Sequence, residues 1–201
     1  MKYVKLLFAT AGASMLLGAL VSGASARSFS ISNQSISAMW SEVTLNFGGA
    51  QSSCHLTLEG SMHSRTSAKV IGSLVGYITS ATLGPCSSGT ATILREALPW
   101  HVRYSGFTGA LPNITSSTVH VIGASFAIRE PFGVSCHIRT TAAQPGIGTF
   151  HRNVISHEIT EVGIAGRIRT TECGVEGTLS SVSGVMSLLG TSNVRISVTL
   201  I

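Results

Sequence analysis

A strict alternation of apolar and polar residues at positions 100–105 constrains the fold more than any other feature of the chain. The apolar members stand at every second position, which is the period of a strand with one buried and one solvated face. We therefore expect Trp100 and Tyr104 to face the core. A β-branched apolar run at 91–94 precedes this strand, and a break containing Pro99 separates the two. Together they predict a hairpin or a sheet corner.

Composition favours strands over helices throughout the chain. Charged residues make up only 10% of the sequence, whereas a helix-rich domain carries many more Glu, Lys and Ala on its solvated faces. Abundant Thr, Val and Ile between Gly-containing turns are typical of many short strands. We predict an all-β fold, a two-sheet β-sandwich of about 8–10 strands.

Several further segments carry strand patterns. In segment 54–63, Cys54, Leu56 and Leu58 share one face. Segment 193–201 alternates in the same way and is predicted to bury Val194, Ile196, Val198 and Leu200. Segment 66–83 fits a helical stripe in part, but its glycines and Thr-rich end favour a strand. Strands are also predicted at 119–129, where the apolar phase changes at Gly123, and at 136–140.

The N-terminus predicts export. Residues 1–26 contain two lysines, an apolar run and the small residues Ala24, Ser25 and Ala26, which is the pattern of a cleaved secretory signal peptide. The remaining chain, 27–201, has the length of a single all-β domain with no membrane span. It retains 11 basic and 8 acidic residues, a net charge of +3. Its basic residues are scattered singly, so no nucleic-acid partner is predicted.

A weak internal repeat relates segments 47–108 and 132–201. Phe-Gly precedes a Ser-Cys-His strand in each half, a second cysteine followed by Gly and Thr comes later, and each half ends on a similar strand. Four cysteines in an exported chain predict two disulfides, and the repeat favours pairing Cys54 with Cys86 and Cys136 with Cys173. Their spacings contain no close pair of the kind that holds zinc.

Histidines on outward strand faces are the main candidates for chemistry. His55 or His137 beside His101 would make a two-His site for zinc or copper if their strands were neighbours. The alternative is that these residues, with His63, simply lie on a solvated sheet face. Segment 157–161 begins like the H-E-x-x-H zinc motif but has Glu161 in place of the second His.

Other catalytic signatures are incomplete. Segment 123–127 approaches the G-x-S-x-G pattern but lies within a predicted strand. The chain contains no Asp, which excludes an Asp-dependent triad or an EF-hand, although a Ser/His/Glu set assembled in space stays open. Trp40 and Trp100 could stack on a sugar, but core packing is the better interpretation. We assign no catalytic, cofactor-binding or metal-binding residue.

Segments 98–104 (LPWHVRY) and 108–115 (TGALPNIT), with the closing segment 195–201 (RISVTLI), resemble a group of small secreted bacterial proteins of unknown function. The resemblance spans most of the chain after the signal peptide. It implies export by a bacterium and supplies no activity, ligand or site residue.

These observations predict a secreted, non-catalytic structural or binding module of the bacterial envelope or extracellular space. Unpaired strand edges would allow cell-surface or self-association partners through strand addition. The alternative is a small extracellular hydrolase, with or without a metal, that uses outward histidines with Glu59, Glu158 or Glu161. An enzyme of this kind needs two histidines and a glutamate converging in one pocket.

Overall fold

The computed structural model describes residues 28–47, 50–111, 113–129, 135–165, 167–169, 179–190 and 194–201. The predicted signal peptide and Cys173 lie outside these ranges. Within them the chain forms fifteen strands and one 3-10 turn, Arg95–Ala97. The strands are β1 (Ser28–Ile31), β2 (Ser35–Phe47), β3 (Ala50–Met62), β4 (Thr66–Ala68), β5 (Leu74–Cys86), β6 (Thr90–Ile93), β7 (Trp100–Ala110), β8 (Asn113–Ile122), β9 (Ser125–Arg129), β10 (Ser135–Arg139), β11 (Gly146–Arg152), β12 (Ile159–Ala165), β13 (Arg167–Arg169), β14 (Leu179–Gly190) and β15 (Val198–Leu200).

Eight strands form one closed antiparallel sheet, which we call the closed sheet. The strands of this sheet are β2, β3, β5, β7, β8, β11, β12 and β14, and each pairs with the next strand in this order. β14 also pairs with β2, from Ser181↔Asn46 to Gly190↔Ile36. Pairing of β12 with β14, from Val162↔Met186 to Ile164↔Gly184, completes the ring.

The all-β prediction is confirmed, but the architecture differs from the two-sheet sandwich that we expected. Alternation shows which face of a strand is buried. Strands of a sandwich and strands of a closed sheet have the same alternation, so the pattern cannot distinguish the two architectures. Long strands with bulges make closure feasible: β2, β3 and β5 each have 13 residues, and register shifts occur at Trp40/Val43 and Glu59/Gly60. Such bulges bend and twist strands.

A small sheet of β15, β1 and β4 lies at one end of the closed sheet, and we call it the terminal sheet. β4 belongs to the connection from β3 to β5, so this end is where those strands meet. Hydrogen bonds from Ile31 N to Arg65 O (2.9 Å) and from Met62 N to Gln34 O (2.7 Å) attach it there. Ile31 is buried against the core.

A second small sheet of β10, β9 and β6, the insertion sheet, lies at the opposite end. β6 interrupts the path from β5 to β7, and β9 and β10 interrupt the path from β8 to β11. The phase change at Gly123 marks the turn between β8 and β9, where the glycine has φ +92°. A side chain would be strained in this conformation. Phe126 of β9 packs on Trp100 with ring centres 5.6 Å apart.

The break at Pro99 is a sheet corner. β6 pairs with β9 of the insertion sheet, whereas β7 pairs with β5 and β8 of the closed sheet. Trp100 and Tyr104 are 1% and 4% exposed, and His101 and Arg103 are exposed. The predicted faces of this strand are therefore confirmed.

Several other predicted strands are also confirmed. Cys54, Leu56 and Leu58 of β3 are buried together, and most of segment 66–83 belongs to β4 and β5. The closing strand is shorter than expected, because β15 begins at Val198. Val194, predicted to be buried, is 65% exposed.

One of the two predicted disulfides is present, between Cys54 and Cys86. These residues are direct cross-strand partners in β3 and β5. Cys136 lies in β10, and its predicted partner Cys173 is outside the described residues, so the second disulfide stays a prediction. The half-repeat also stays a prediction; its two Cys-His strands lie in different sheets, β3 in the closed sheet and β10 in the insertion sheet.

The described part of the chain contains no helix long and apolar enough to cross a membrane.

Candidate functional site

The closed sheet encloses a cavity of about 140 Å³. Its walls come from inward positions of β2, β3, β5, β7, β8, β11 and β12, and β1, β4 and β15 line it from the terminal sheet. Most lining side chains are apolar. The apolar ones are Phe29, Ile31, Ile36, Ala38, Trp40, Leu58, Met62, Val75, Ile78, Val102, Ile114, Val119, Phe150, Ile159, Val162, Ile164 and Val198.

Local sequence pattern explains why this interior is apolar. Period-two alternation turns every second residue of each strand inward, as with Ile36, Ala38 and Trp40 of β2. Gly148 of β11 packs closely against β8: a Cβ added there would approach Val119 Cγ2 to 3.0 Å, so this position accepts a larger side chain only if Val119 moves.

Trp40 lines the cavity and carries a buried polar atom. The residue is 3% exposed, and its indole Nε1 is buried with no hydrogen-bond partner among the residues that the structure describes. A buried donor without a partner costs free energy that an acceptor would recover. Trp100 has the same unpartnered Nε1 but does not line the cavity.

Aromatic rings pack where the terminal sheet meets the closed sheet. The rings of Phe29 and Tyr104 are 5.6 Å apart, and both residues line the cavity. Burial raises the pKa of the Tyr104 phenol above its usual 10.0. Lys69 is not part of the cavity lining but lies beside Phe29. Its Nζ is 5.7 Å from the centre of the Phe29 ring and 5.9 Å from that of the Phe107 ring.

Three charged residues belong to the lining. Arg65 and Glu59 are exposed, so the cavity reaches the surface beside them, and Arg152 is half-buried. Arg152 donates from Nε to Ile114 O (3.1 Å) and from Nη1 to Val198 O (2.9 Å). Burial lowers the pKa of its guanidinium from the usual 12.5.

The outward histidines do not converge as the two-His hypothesis required. His55 lies beside Gly84 of β5, whereas His101 is opposite Tyr77 of the same strand. Seven residues of extended strand separate those positions by roughly 23 Å. The structure instead places His63 and His101 on either side of Tyr77, with ring centres 6.2 and 5.4 Å from the tyrosine ring.

The remaining candidates for metal binding are dispersed. His137 is opposite Ala127 in the insertion sheet, and Glu161 is opposite His151 in the closed sheet. Glu158 forms an isolated bridge with Ser197 near the terminal sheet. Among the residues that the structure describes, no three His, Cys, Asp or Glu side chains are placed to hold a metal ion together.

A serine and a histidine do meet on neighbouring strands β7 and β8. The Ser105 hydroxyl lies 2.9 Å from His120 Nε2, a distance typical of a nucleophile and its base. In the described residues no glutamate bonds to His120, and neither residue lines the cavity. The pair therefore lacks the third member of a triad and an adjoining pocket.

Both tryptophans are core residues, as the packing interpretation predicted; Trp40 is 3% exposed and Trp100 is 1% exposed. Neither is available as a surface platform for a sugar.

Sequence reasoning missed the cavity and Arg152. Arg152 occupies an inward position of β11, two residues after Phe150. A charged residue in phase with apolar ones is the signal that could have identified it.

The chain matches no protein-family model, no curated protein and no solved structure.

Proposed function

We propose that this protein is a secreted, non-catalytic binding module whose ligand is a small apolar molecule held inside the closed sheet. The apolar cavity of about 140 Å³ is the observation that supports this function. A closed antiparallel sheet of eight strands has an interior that either fills with side chains or holds one small ligand. Here it is not filled.

Size sets the class of ligand. An apolar cavity of about 150 Å³ is known to stay dry and to accept benzene or xenon. The cavity of this protein is similar in volume, so it suits a single ring or a short alkyl chain rather than a drug-sized molecule.

Ring closure favours ligand binding over assembly by strand addition. Edges that remain in the described chain belong to short strands, such as β4 with three residues and β6 with four. Short edges offer few backbone groups to an added strand. The predicted signal peptide supports a binding role outside the cell, and the Cys54–Cys86 disulfide is compatible with it.

Titration with 1-hexanol, followed by NMR of methyl groups, tests the proposal. We expect saturable shifts confined to cavity methyls such as those of Leu58 and Val162. Ala38→Leu, which extends a side chain into the cavity, should abolish them. Ala81 is equally buried but does not line the cavity, so Ala81→Leu should retain binding and serves as the matched control.

Shifts that do not saturate, or that survive Ala38→Leu while disappearing in Ala81→Leu, would contradict a ligand site in this cavity.

A further inference from the structure

Arg152 is the half-buried one of the three charged residues in a mostly apolar cavity lining. It stands on β11 in phase with Phe150, and its side chain is half-buried. Arginine keeps its charge in proteins, so burial cannot be relieved by deprotonation at ordinary pH. Such a charge is expensive to desolvate unless an anion or strong acceptors compensate it.

The compensation that Arg152 finds is incomplete. Its three acceptors are the carbonyl oxygens of Ile114 and Val198 and the Nδ1 of His157, at 3.1, 2.9 and 3.2 Å. All three are neutral, because Nδ1 can accept from a guanidinium only when it carries no proton. In the described chain the three bonds of Arg152 use Nε and Nη1 and not Nη2, and none of the three acceptors is a carboxylate.

The geometry around Arg152 is held by several elements. Ile114 belongs to β8 and Val198 to β15, so the guanidinium joins a wall of the closed sheet to the terminal sheet. His157 adopts a left-handed conformation with φ 60°, and its carbonyl accepts from Val198 N (2.8 Å). These bonds fix Nε and Nη1 and leave Nη2 available to a ligand.

We infer that the cavity binds a carboxylate with a short hydrocarbon chain. The chain would lie among the apolar walls, and the carboxylate would bind the Arg152 guanidinium. The inference rests on the proposed function and names the ligand class of the same site. Two arginines and one glutamate line the cavity. Glu59 and Arg65 are exposed, so water screens both charges, whereas the half-buried Arg152 is screened less.

Ligands of equal chain length and different charge test this assignment. We would measure the affinities of hexanoate, 1-hexanol and hexylammonium for the wild-type protein at neutral pH. A charge-assisted hydrogen bond to a partly buried guanidinium should make hexanoate bind at least about tenfold more tightly than 1-hexanol. Hexylammonium should bind most weakly.

Variants then test whether Arg152 is the arginine that binds the carboxylate. Arg152→Gln should remove the preference for hexanoate, whereas Arg152→Lys, which keeps the charge, should retain part of it. Arg65→Gln is the matched control at the exposed position and should leave the preference unchanged. If Arg152→Gln does not fold, NMR of arginine Nε in the wild type replaces it, with hexanoate expected to shift the Arg152 signal.

Each outcome distinguishes the two proposals. Equal affinities for hexanoate and 1-hexanol would overturn the carboxylate inference and leave the apolar-ligand function standing. Loss of the preference in Arg65→Gln alone, or a shifted Arg65 signal with Arg152 unchanged, would overturn the assignment to Arg152. Failure of all three ligands to bind would overturn the proposed function itself.

Discussion

Lys69 shows at the scale of one residue how burial changes titration. Its Nζ is buried with no hydrogen-bond partner in the described structure, and it lies within 6 Å of two phenylalanine ring centres, at 5.7 and 5.9 Å. Aromatic faces attract a cation but do not replace its hydration fully. Burial therefore lowers the pKa of Lys69 from 10.5.

This shift predicts that the contribution of Lys69 to stability rises with pH. In the folded state the charged form is disfavoured, so its cost is fully present below the folded pKa and is relieved as pH rises toward 10.5. The free energy of unfolding of the wild type, relative to Lys69→Met, should increase between neutral pH and pH 10.5. Denaturant titrations across that range measure it.

Lys69→Arg provides the control, because arginine does not titrate in this window. Its stability relative to Lys69→Met should stay flat. The raised pKa of Tyr104 lowers the free energy of unfolding above pH 10.0, because its phenol ionises more readily in the unfolded chain than in the folded protein. Tyr104 is common to all three proteins and cancels in the comparison. A flat wild-type difference would contradict the burial of the ammonium.

At the scale of elements, the Cys54–Cys86 disulfide joins β3 to β5 across a sequence separation of 32 residues. Two hydrogen bonds to serine hydroxyls join the residues beside this disulfide: Ser53 N donates to Ser87 Oγ (2.9 Å), and Ser88 N donates to Ser52 Oγ (3.2 Å). The two strands are thus fixed where β3 begins and β5 ends. This lies at the end of the closed sheet that carries the insertion sheet.

Removing this disulfide should destabilise the protein by about 3 to 4 kcal/mol, because the unfolded chain regains the entropy of a loop of this length. The variant is Cys54→Ala combined with Cys86→Ala, and denaturant unfolding gives the free energy. The adjacent variant Ser87→Ala, which removes one exposed hydrogen bond, should cost less than about 1 kcal/mol. Equal losses in the two variants would show that the bridge adds no stability.

At the scale of the whole molecule, closure of the sheet depends on a short seam. β12 and β14 meet in three residue pairs, Val162↔Met186, Gly163↔Val185 and Ile164↔Gly184. β2 and β3, by contrast, pair along almost their full length. Closure through this seam is what separates an enclosed cavity from an open groove.

Hydrogen exchange measures whether the seam is formed in solution. If the sheet is closed, the seam amides of β12 and β14 should exchange as slowly as those between β3 and β5, because both open only in large unfolding events. Amides of the short strand β4, at an edge of the terminal sheet, should exchange faster. Seam amides that exchange at the rate of β4 would indicate an open sheet.

Much of the strand structure was predictable from sequence because strand faces are a local property. Trp100 and Tyr104 face the core as their alternation indicates. Cys54 pairs with Cys86, which the internal repeat favoured among three possible connectivities. The two-His hypothesis was wrong for His55 and His101, since it required knowledge of register. Outward orientation says nothing about how far apart two side chains lie along neighbouring strands.

The sequence by itself determined the all-β class and the buried faces of the main strands, because these depend on residue type and on period-two spacing. Only the tertiary structure decided that the strands close into a ring, that the ring keeps a cavity, and that Arg152 meets Ile114, Val198 and His157. Those features depend on pairing between strands distant in sequence and on the volume left inside, neither of which a local pattern specifies.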